Sequence, residues 1–293
     1  MESEVNAFLS KIEADTAFSE STQLAYANDM RVFLHYLDTL EGQSPTLDDL
    51  NSELVVNFLE TECKLGRRRN TLVRRLATLT YFQEFLVTSS TLGSNQFSGN
   101  DQIIQQVISR MPENRSPQCL NEGQVKTILA VFESSTRPRA LRDRAIFMLL
   151  LETGLSVASL TTLDMTDIDL ASNRIHVYLE GVGDIWLGMN KAHGPLGDYI
   201  ASGRPNLLDK PGEPALFISQ MNGRLSRQGV WQILQYWGSQ AEPAIHLSPR
   251  IVRHSAALRM NKAGMSSRDI QKRLGHRNIL STQALIRRLE ANC

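Results

Sequence analysis

The sequence predicts a mainly α-helical protein carrying one small antiparallel β-sheet, divided into two domains. Three observations predict it. Apolar residues recur at helical spacing through most of the chain, as at Tyr26, Met30, Phe33, Leu34 and Leu37. Strict alternation is confined to Arg174–Leu179 and the stretch that follows it. Between Ser89 and Pro117 the composition turns to Ser, Gly, Asn and Gln, which marks a connection between two folded parts.

With 293 residues, 42% of them hydrophobic and 21% charged, the chain is long enough to bury two cores. The start, Met1-Glu2-Ser3-Glu4, is acidic and carries no leader-like apolar segment, and no run is long enough to span a membrane, so a cytoplasmic protein with no membrane partner is expected. Cys63, Cys119 and Cys293 lack C-x-x-C spacing, which points to reduced, structural cysteines and to neither a metal site nor a disulfide framework. No cofactor is implied.

The first domain, residues 1–90, reads as a helical unit. Ser19-Glu20-Ser21-Thr22 supplies cap residues for the stripe ending at Leu37. A second helix starts at Thr46–Leu50, breaks near Asn51 and runs through Val55, Phe58 and Leu59. A third follows Gly66 and carries Leu72, Leu76, Leu79 and Leu86. Arg67, Arg68, Arg69, Arg74 and Arg75 form one basic cluster in an otherwise acidic domain. Such a run is either a solvated helix face or a phosphate-contacting surface at a helix start.

Residues 91–117 read as the linker, with a short helix around Ile103–Ile108. The second domain, 118–293, opens with Asn121 capping a helix through Phe132, followed by a helix over Arg142–Leu151 that stops at Gly154. The strand Arg174–Leu179, the turn Glu180–Asp184 and a partner strand Ile185–Met189 make a hairpin. From Ser248 to Cys293, ten Lys and Arg stand against Asp269 and Glu290. Although the whole chain has a formal net charge of +0, this segment is a basic block of the kind that neutralises phosphates.

Leu247-Ser248-Pro249-Arg250-Ile251-Val252-Arg253-His254-Ser255-Ala256-Ala257 and Leu274-Gly275-His276 through Thr282-Gln283-Ala284-Leu285 resemble the signature of tyrosine recombinases, the phage integrases and Xer-type resolvases. There an S-P-H-x-L-R-H-T helix precedes L-G-H-x-x-x-x-T-T-Q-x-Y. Ser19 through Phe33 is similar to that family's N-terminal core-binding helix, and the passages Tyr199–Leu208 and Ala215–Ser219 extend the likeness over nearly the whole chain. The resemblance implies a two-domain tyrosine-recombinase architecture: a helical core-binding domain, and an α+β catalytic-type domain that closes with it round double-stranded DNA.

In that family a tyrosine hydroxyl attacks a DNA phosphodiester while two arginines, a lysine and histidines neutralise the phosphorane and shuttle protons. Laid on this sequence, the nucleophile position is Leu285, and no tyrosine follows Tyr236. Thr153-Gly154-Leu155-Ser156-Val157-Ala158-Ser159-Leu160 stands where T-G-L-R-x-S-E-L is the pattern, so the first arginine is Ser156. The catalytic lysine aligns, within about one residue, to Glu180, with Lys191 as the nearest alternative beyond the second strand. The histidine opening H-x-x-R is Arg250, which leaves Arg253 and His276 as retained residues.

The resemblance therefore implies a DNA-binding protein that does not cleave, a regulator, architectural or accessory factor. Arg67 to Arg75, Arg250, Arg253, His254, His276 and Arg277 are its expected DNA contacts, and Arg250 is expected to pair with Glu180 in the vacated pocket. His254 is expected mainly to pack, and Arg253 and His276 equally fit plain structural roles. Ser281 and Thr282 have no general base placed beside them and are not read as replacement nucleophiles. Leu285 is expected to pack, either within the chain or against a neighbouring protomer. Two other readings stay open: a recombinase subunit active only in a hetero-complex whose catalytic partner supplies the tyrosine, and a protein-interaction module without DNA binding. A homo-oligomer is compatible with the first two.

Overall fold

The computed structural model describes residues 1–293 except 16–17, 19, 41–45, 90, 99–100, 112–115, 180–181, 210–211 and 277. The chain divides into two compact units, Met1–Arg115 and Ser116–Cys293.

Unit 1 comprises α1 (Glu2–Ala14), α2 (Glu20–Asp38), α3 (Ser52–Lys64), α4 (Arg69–Thr88) and α5 (Gln102–Arg110). The helix α1 was not anticipated, although Val5, Phe8 and Ile12 are all buried and stand three and four residues apart. Helix α2 buries the expected stripe at Tyr26, Met30, Phe33 and Leu37. The break expected at Asn51 is a cap: a 3-10 turn covers Leu47–Asp49, and the Asn51 side chain then accepts from the Leu54 amide at 3.1 Å to start α3. Phe33 and Phe58 meet edge to face with centroids 5.2 Å apart in the middle of this core.

Most of the passage expected as linker belongs to unit 1. Leu92, Phe97, Ile104, Ile108 and Met111 are all buried in its core. Gln83 in α4 ties the passage down. Its amide nitrogen donates to Phe97 O at 2.8 Å, and its carbonyl oxygen accepts from the backbone of Gln96 and Phe97 at 2.8 and 3.0 Å. The polar composition of residues 88–101 concealed apolar residues spaced too widely to register as a helix.

Unit 2 comprises α6 (Glu122–Glu133), α7 (Pro138–Thr153), α8 (Val157–Thr162), β1 (Ile168–Asp169), β2 (Arg174–Leu179), β3 (Gly183–Gly188), α9 (His193–Asp198), α10 (Arg227–Ser239), α11 (Pro249–Lys262), α12 (Ser267–Leu274) and α13 (Ile279–Asn292). The sheet is antiparallel in the order β1-β2-β3, with Ile175 opposite Leu187 and His176 opposite Trp186. Helix α7 is apolar on nearly every side, from Ala145 to Leu151, and is the central element of the larger core. A smaller cluster, Ala256, Leu258, Met260, Ile270, Leu274, Ile286 and Leu289, joins α11, α12 and α13.

Helix α7 ends at Gly154, which takes φ +69°, and a Cβ there would stand 3.1 Å from Leu274 and 3.3 Å from Met260. Both the left-handed conformation and the close approach of α11 and α12 require glycine. The expectation of three reduced cysteines does not hold. Cys119 and Cys293 are joined, 174 residues apart in sequence, and Cys63 is free. Local spacing motifs cannot reveal a pair that only the tertiary fold brings together.

Candidate functional site

The site is built where the ends of α7 and α12 meet α11. Ser248 caps α11 by accepting from the Ile251 amide at 3.3 Å, and Pro249 takes the first helical position, where its missing N–H leaves no bond unmade. That start sets Arg250, Arg253 and His254 on successive turns of one helix. Arg250 is exposed. Its expected partner Glu180, and Arg277, lie outside the described residues, so the proposed ion pair is not seen either way.

Arg253 is committed within the chain. Its guanidinium donates to Gly154 O at 3.0 Å and, by a shorter contact, to Leu274 O. These carbonyls stand at the C-terminal ends of α7 and α12, where the last turn of a helix has no backbone donor of its own. One planar fork therefore ties together two helix ends. Burial pulls the guanidinium down to about 10, which still leaves it cationic at neutral pH.

His276 follows the Gly275 cap of α12. Its Nδ1 lies 2.9 Å from the hydroxyl of Thr282, a fully buried residue of α13, and its carbonyl accepts from Gln271 Nε2 at 2.9 Å. Burial first, then the nearby Arg253, lowers the affinity of the ring for a proton. His254 is buried, with Nδ1 3.0 Å from Gln118 O. Its proton affinity falls mainly through burial, with further repulsion from Arg250, Arg253 and His276. Arg250, Arg253 and His276 thus all lie near the His254 ring. In its geometry His254 is a packing residue, whatever its expected place among the DNA contacts.

Ser156 and Leu285, which the resemblance alone aligns with an arginine and the nucleophile, both make local structural contacts. Ser156 is the N-cap of α8: its hydroxyl accepts from the Ser159 amide at 3.0 Å and lies 3.0 Å from the Ser159 hydroxyl. The two serines standing for an arginine and an acid thus satisfy one another. Leu285 lies half-buried on α13, packed against the small cluster formed with α11 and α12. Thr282 is buried, and Ser281 is exposed.

The basic cluster of unit 1 divides. Arg75 is buried, ion-paired with Glu62 and 3.5 Å from Asp29, with its guanidinium 5.9 Å from the Phe58 ring centroid. Arg74 pairs with Asp29 and donates to Ala25 O at 3.0 Å, while Arg67 lies 3.5 Å from Glu62. Burial raises the Asp29 carboxyl, against the pull of Arg74 and the Thr78 hydroxyl. Arg75 is thus an internal counter-ion and is withdrawn from the expected DNA-facing set. Arg74 and Arg67 are largely neutralised, and Arg68 and Arg69 remain at the start of α4, exposed and half-exposed. The signal that could have warned of this is the pair Asp29 and Glu62, two acids each set within an apolar stripe.

Sequence reasoning also passed over the outer face of the hairpin. Arg174 lies 4.4 Å from the exposed Trp186 ring centroid, and His176 sits between Asp167 and Asp184 at 3.5 and 3.4 Å. Strand alternation alone places Arg174, His176 and Tyr178 on that face. Among the described residues, no group of three or more His, Cys, Asp or Glu is placed to hold a metal ion. No helix among them is long and apolar enough to cross a membrane.

Comparison with known proteins agrees with this architecture. Residues 118–290 match the phage integrase family, and residues 5–89 match the phage integrase N-terminal SAM-like domain. The chain is 27% identical to tyrosine recombinase XerC of Herpetosiphon aurantiacus, over 97% of this chain and 90% of that protein. It is 29% identical to XerC of Halalkalibacterium halodurans, over 95% and 90%. Its fold is similar to that of the Tn1549 transposon integrase in complex with a circular intermediate DNA, with a TM-score of 0.74 at 17% identity over 96% and 94% of the chains. A lambda integrase dimer bound to a COC' core site gives a TM-score of 0.70 at 15% identity over 98% and 95%. Since the two family matches together take up most of its length, each falling within one unit, the chain belongs to the phage integrase family of tyrosine recombinases.

Proposed function

We infer that this member of the family binds double-stranded DNA without cutting it, acting in the cytoplasm as a regulator, architectural factor or accessory subunit. The observation that carries the reading is Leu285, a leucine packed against an apolar cluster at the position aligned with the nucleophile. A hydrocarbon side chain cannot attack phosphorus. Ser156 adds support, because its short hydroxyl is engaged as a helix cap and supplies no cation for a phosphorane. DNA binding is supported by the exposed Arg250, by the basic residues of α12 and α13, and by Arg68 and Arg69 in unit 1. The recombinases of like fold were solved on DNA, one of them as a dimer.

The test joins two readouts. Genomic fragments retained by the purified protein are sequenced at about 150 mM salt, where non-specific phosphate binding is weak. The enriched site is then offered as a nicked substrate that traps covalent intermediates. Enrichment of a discrete inverted-repeat site with no covalent adduct is the expected result. An adduct formed by this chain alone refutes the non-catalytic part, and absence of enrichment refutes DNA reading. An adduct that appears only when a catalytic relative is added moves the chain to a subunit of a mixed recombinase.

A further inference from the structure

We propose that Cys119 and Cys293 form a redox-controlled clasp that fixes helix α13 on unit 2 as a disulfide and releases it as a dithiol. The inference stands apart from the DNA reading. It rests on how thinly α13 is otherwise held.

Of the fourteen residues in α13, three are buried: Thr282, Ile286 and Leu289. Leu280, Arg287 and Arg288 face solvent, and the Asn261 amide donating to Glu290 at 2.8 Å is an exposed bond. Its apolar face packs on the small cluster it shares with α11 and α12, which is separate from the large core around α7. A helix with so few buried contacts belongs to the low-stability end of a fold, where local opening is easiest.

The disulfide acts on that weakness. Cys293 is the C-terminal cap of α13, and Cys119 stands near the beginning of unit 2, with 6.1 Å between their Cα atoms. That separation lies within the range a disulfide spans without moving the backbone. Cys293 is exposed, and a cleft of about 180 Å³ lined by Gln118, Cys119, Gln124, His246 and Asn292 opens beside the pair. Small thiols and disulfides therefore have access. In cells that keep thiols reduced, a disulfide of this kind is one that forms and breaks rather than a permanent staple.

The oxidant is a low-molecular-weight disulfide, RS–SR. The Cys293 thiolate attacks one of its sulfurs, forming a mixed disulfide and expelling RS⁻. The Cys119 thiolate then attacks the Cys293 sulfur, closing the clasp and expelling the second RS⁻. Two electrons pass from the protein to RS–SR, which becomes two thiols, and the two cysteine protons are taken up through solvent. Excess thiol runs the sequence backwards. Because Thr282 rides on α13, releasing the helix also removes the hydroxyl held at 2.9 Å by His276, so the clasp sets the order of the site.

The test uses the full chain treated with glutathione disulfide or with dithiothreitol. Peptide mass spectrometry reads the link, and hydrogen exchange reads the amides of α13, with those of α7 as an internal reference. The expected results are a linked Cys119–Cys293 peptide after oxidation, and α13 exchange roughly tenfold faster after reduction while α7 stays protected. C293S should exchange at the fast rate under both treatments, and C63S should keep the full redox response. Failure to form the linked peptide overturns the proposal. So does α13 exchange that is the same, within about twofold, in the two states. Loss of α7 protection in C293S overturns it as well, since the link would then hold the whole unit rather than one helix.

Discussion

Replacing Arg253 by alanine separates two roles that the motif alone leaves merged. In a purely phosphate-binding role, Arg253 would contribute to affinity and little to folding. The structure instead spends its guanidinium on Gly154 O and Leu274 O, two carbonyls at helix ends packed too closely against α11 for water to replace the arginine easily. Hydrogen bonds from a charged donor contribute about 1.5–3 kcal/mol each, so losing both removes roughly 3–6 kcal/mol. For a unit of this size each kcal/mol shifts the midpoint by about 2–4 °C, so the middle of that range corresponds to a fall of roughly 9–18 °C. Arg253→Lys keeps the charge but has no planar fork to reach both carbonyls, so it should recover about half of the loss.

The assay is convenient because Trp186, Trp231 and Trp237, the only tryptophans of the chain, all belong to unit 2. Tryptophan fluorescence followed through thermal or urea unfolding, without DNA, reports on that unit alone. A midpoint for Arg253→Ala within about 2 °C of the parent would refute the structural role, whatever happens to DNA affinity.

Three further outcomes are expected. Arg75→Ala removes the buried cation paired with Glu62 and leaves Asp29 only Arg74 and Thr78, and should cost about 3–5 kcal/mol by circular dichroism, whereas Arg68→Ala should change stability by less than about 0.5 kcal/mol and weaken DNA retention. Leu285→Tyr should give no covalent adduct on a nicked substrate, because Ser156 still offers no cation; an adduct from the single variant contradicts the reading of the site. Unit 2 should lose stability as pH falls below about 6.5: His254 and His276 bind protons less readily when folded, so the unfolded state takes up protons first, and the tryptophan-monitored midpoint should be flat above that pH. His254→Asn with His276→Asn should flatten the acid limb, and an unaltered limb would assign it to other groups.

Much of the fold was legible because helices with one buried face announce themselves by spacing. The stripe of α2, the Asn121 cap of α6 and the Gly154 stop of α7 all stand where the sequence places them. What escaped was set by tertiary contact. Residues 92–111 read as linker because their polar neighbours outnumber Leu92, Phe97 and Ile104, and what holds Gln96 and Phe97 is Gln83 reaching across from α4. Arg75 read as a surface cation because its acids lie far away in sequence, on α2 and α3. The pairing of Cys119 with Cys293 is likewise a property of two chain segments meeting, which no local pattern encodes.

On the proposed non-catalytic reading, the same contrast accounts for which of the positions aligned with catalytic groups keep their residue type. Ser156 and Leu285 occupy places where an inexpensive local substitute exists, a helix cap in one case and an apolar dock in the other. Arg253 has no such substitute, because two helix ends converge on it and each leaves an open carbonyl. The His276 ring is engaged by the buried Thr282 hydroxyl, 2.9 Å from its Nδ1. A residue that both holds the fold and could meet a phosphate cannot be lost when chemistry is no longer required, since folding still demands it. The retained pair is therefore weak evidence for remaining catalysis, and the replaced positions are the informative ones. They are cheap to change, and on the non-catalytic reading a leucine and a serine there leave neither a nucleophile nor a cation.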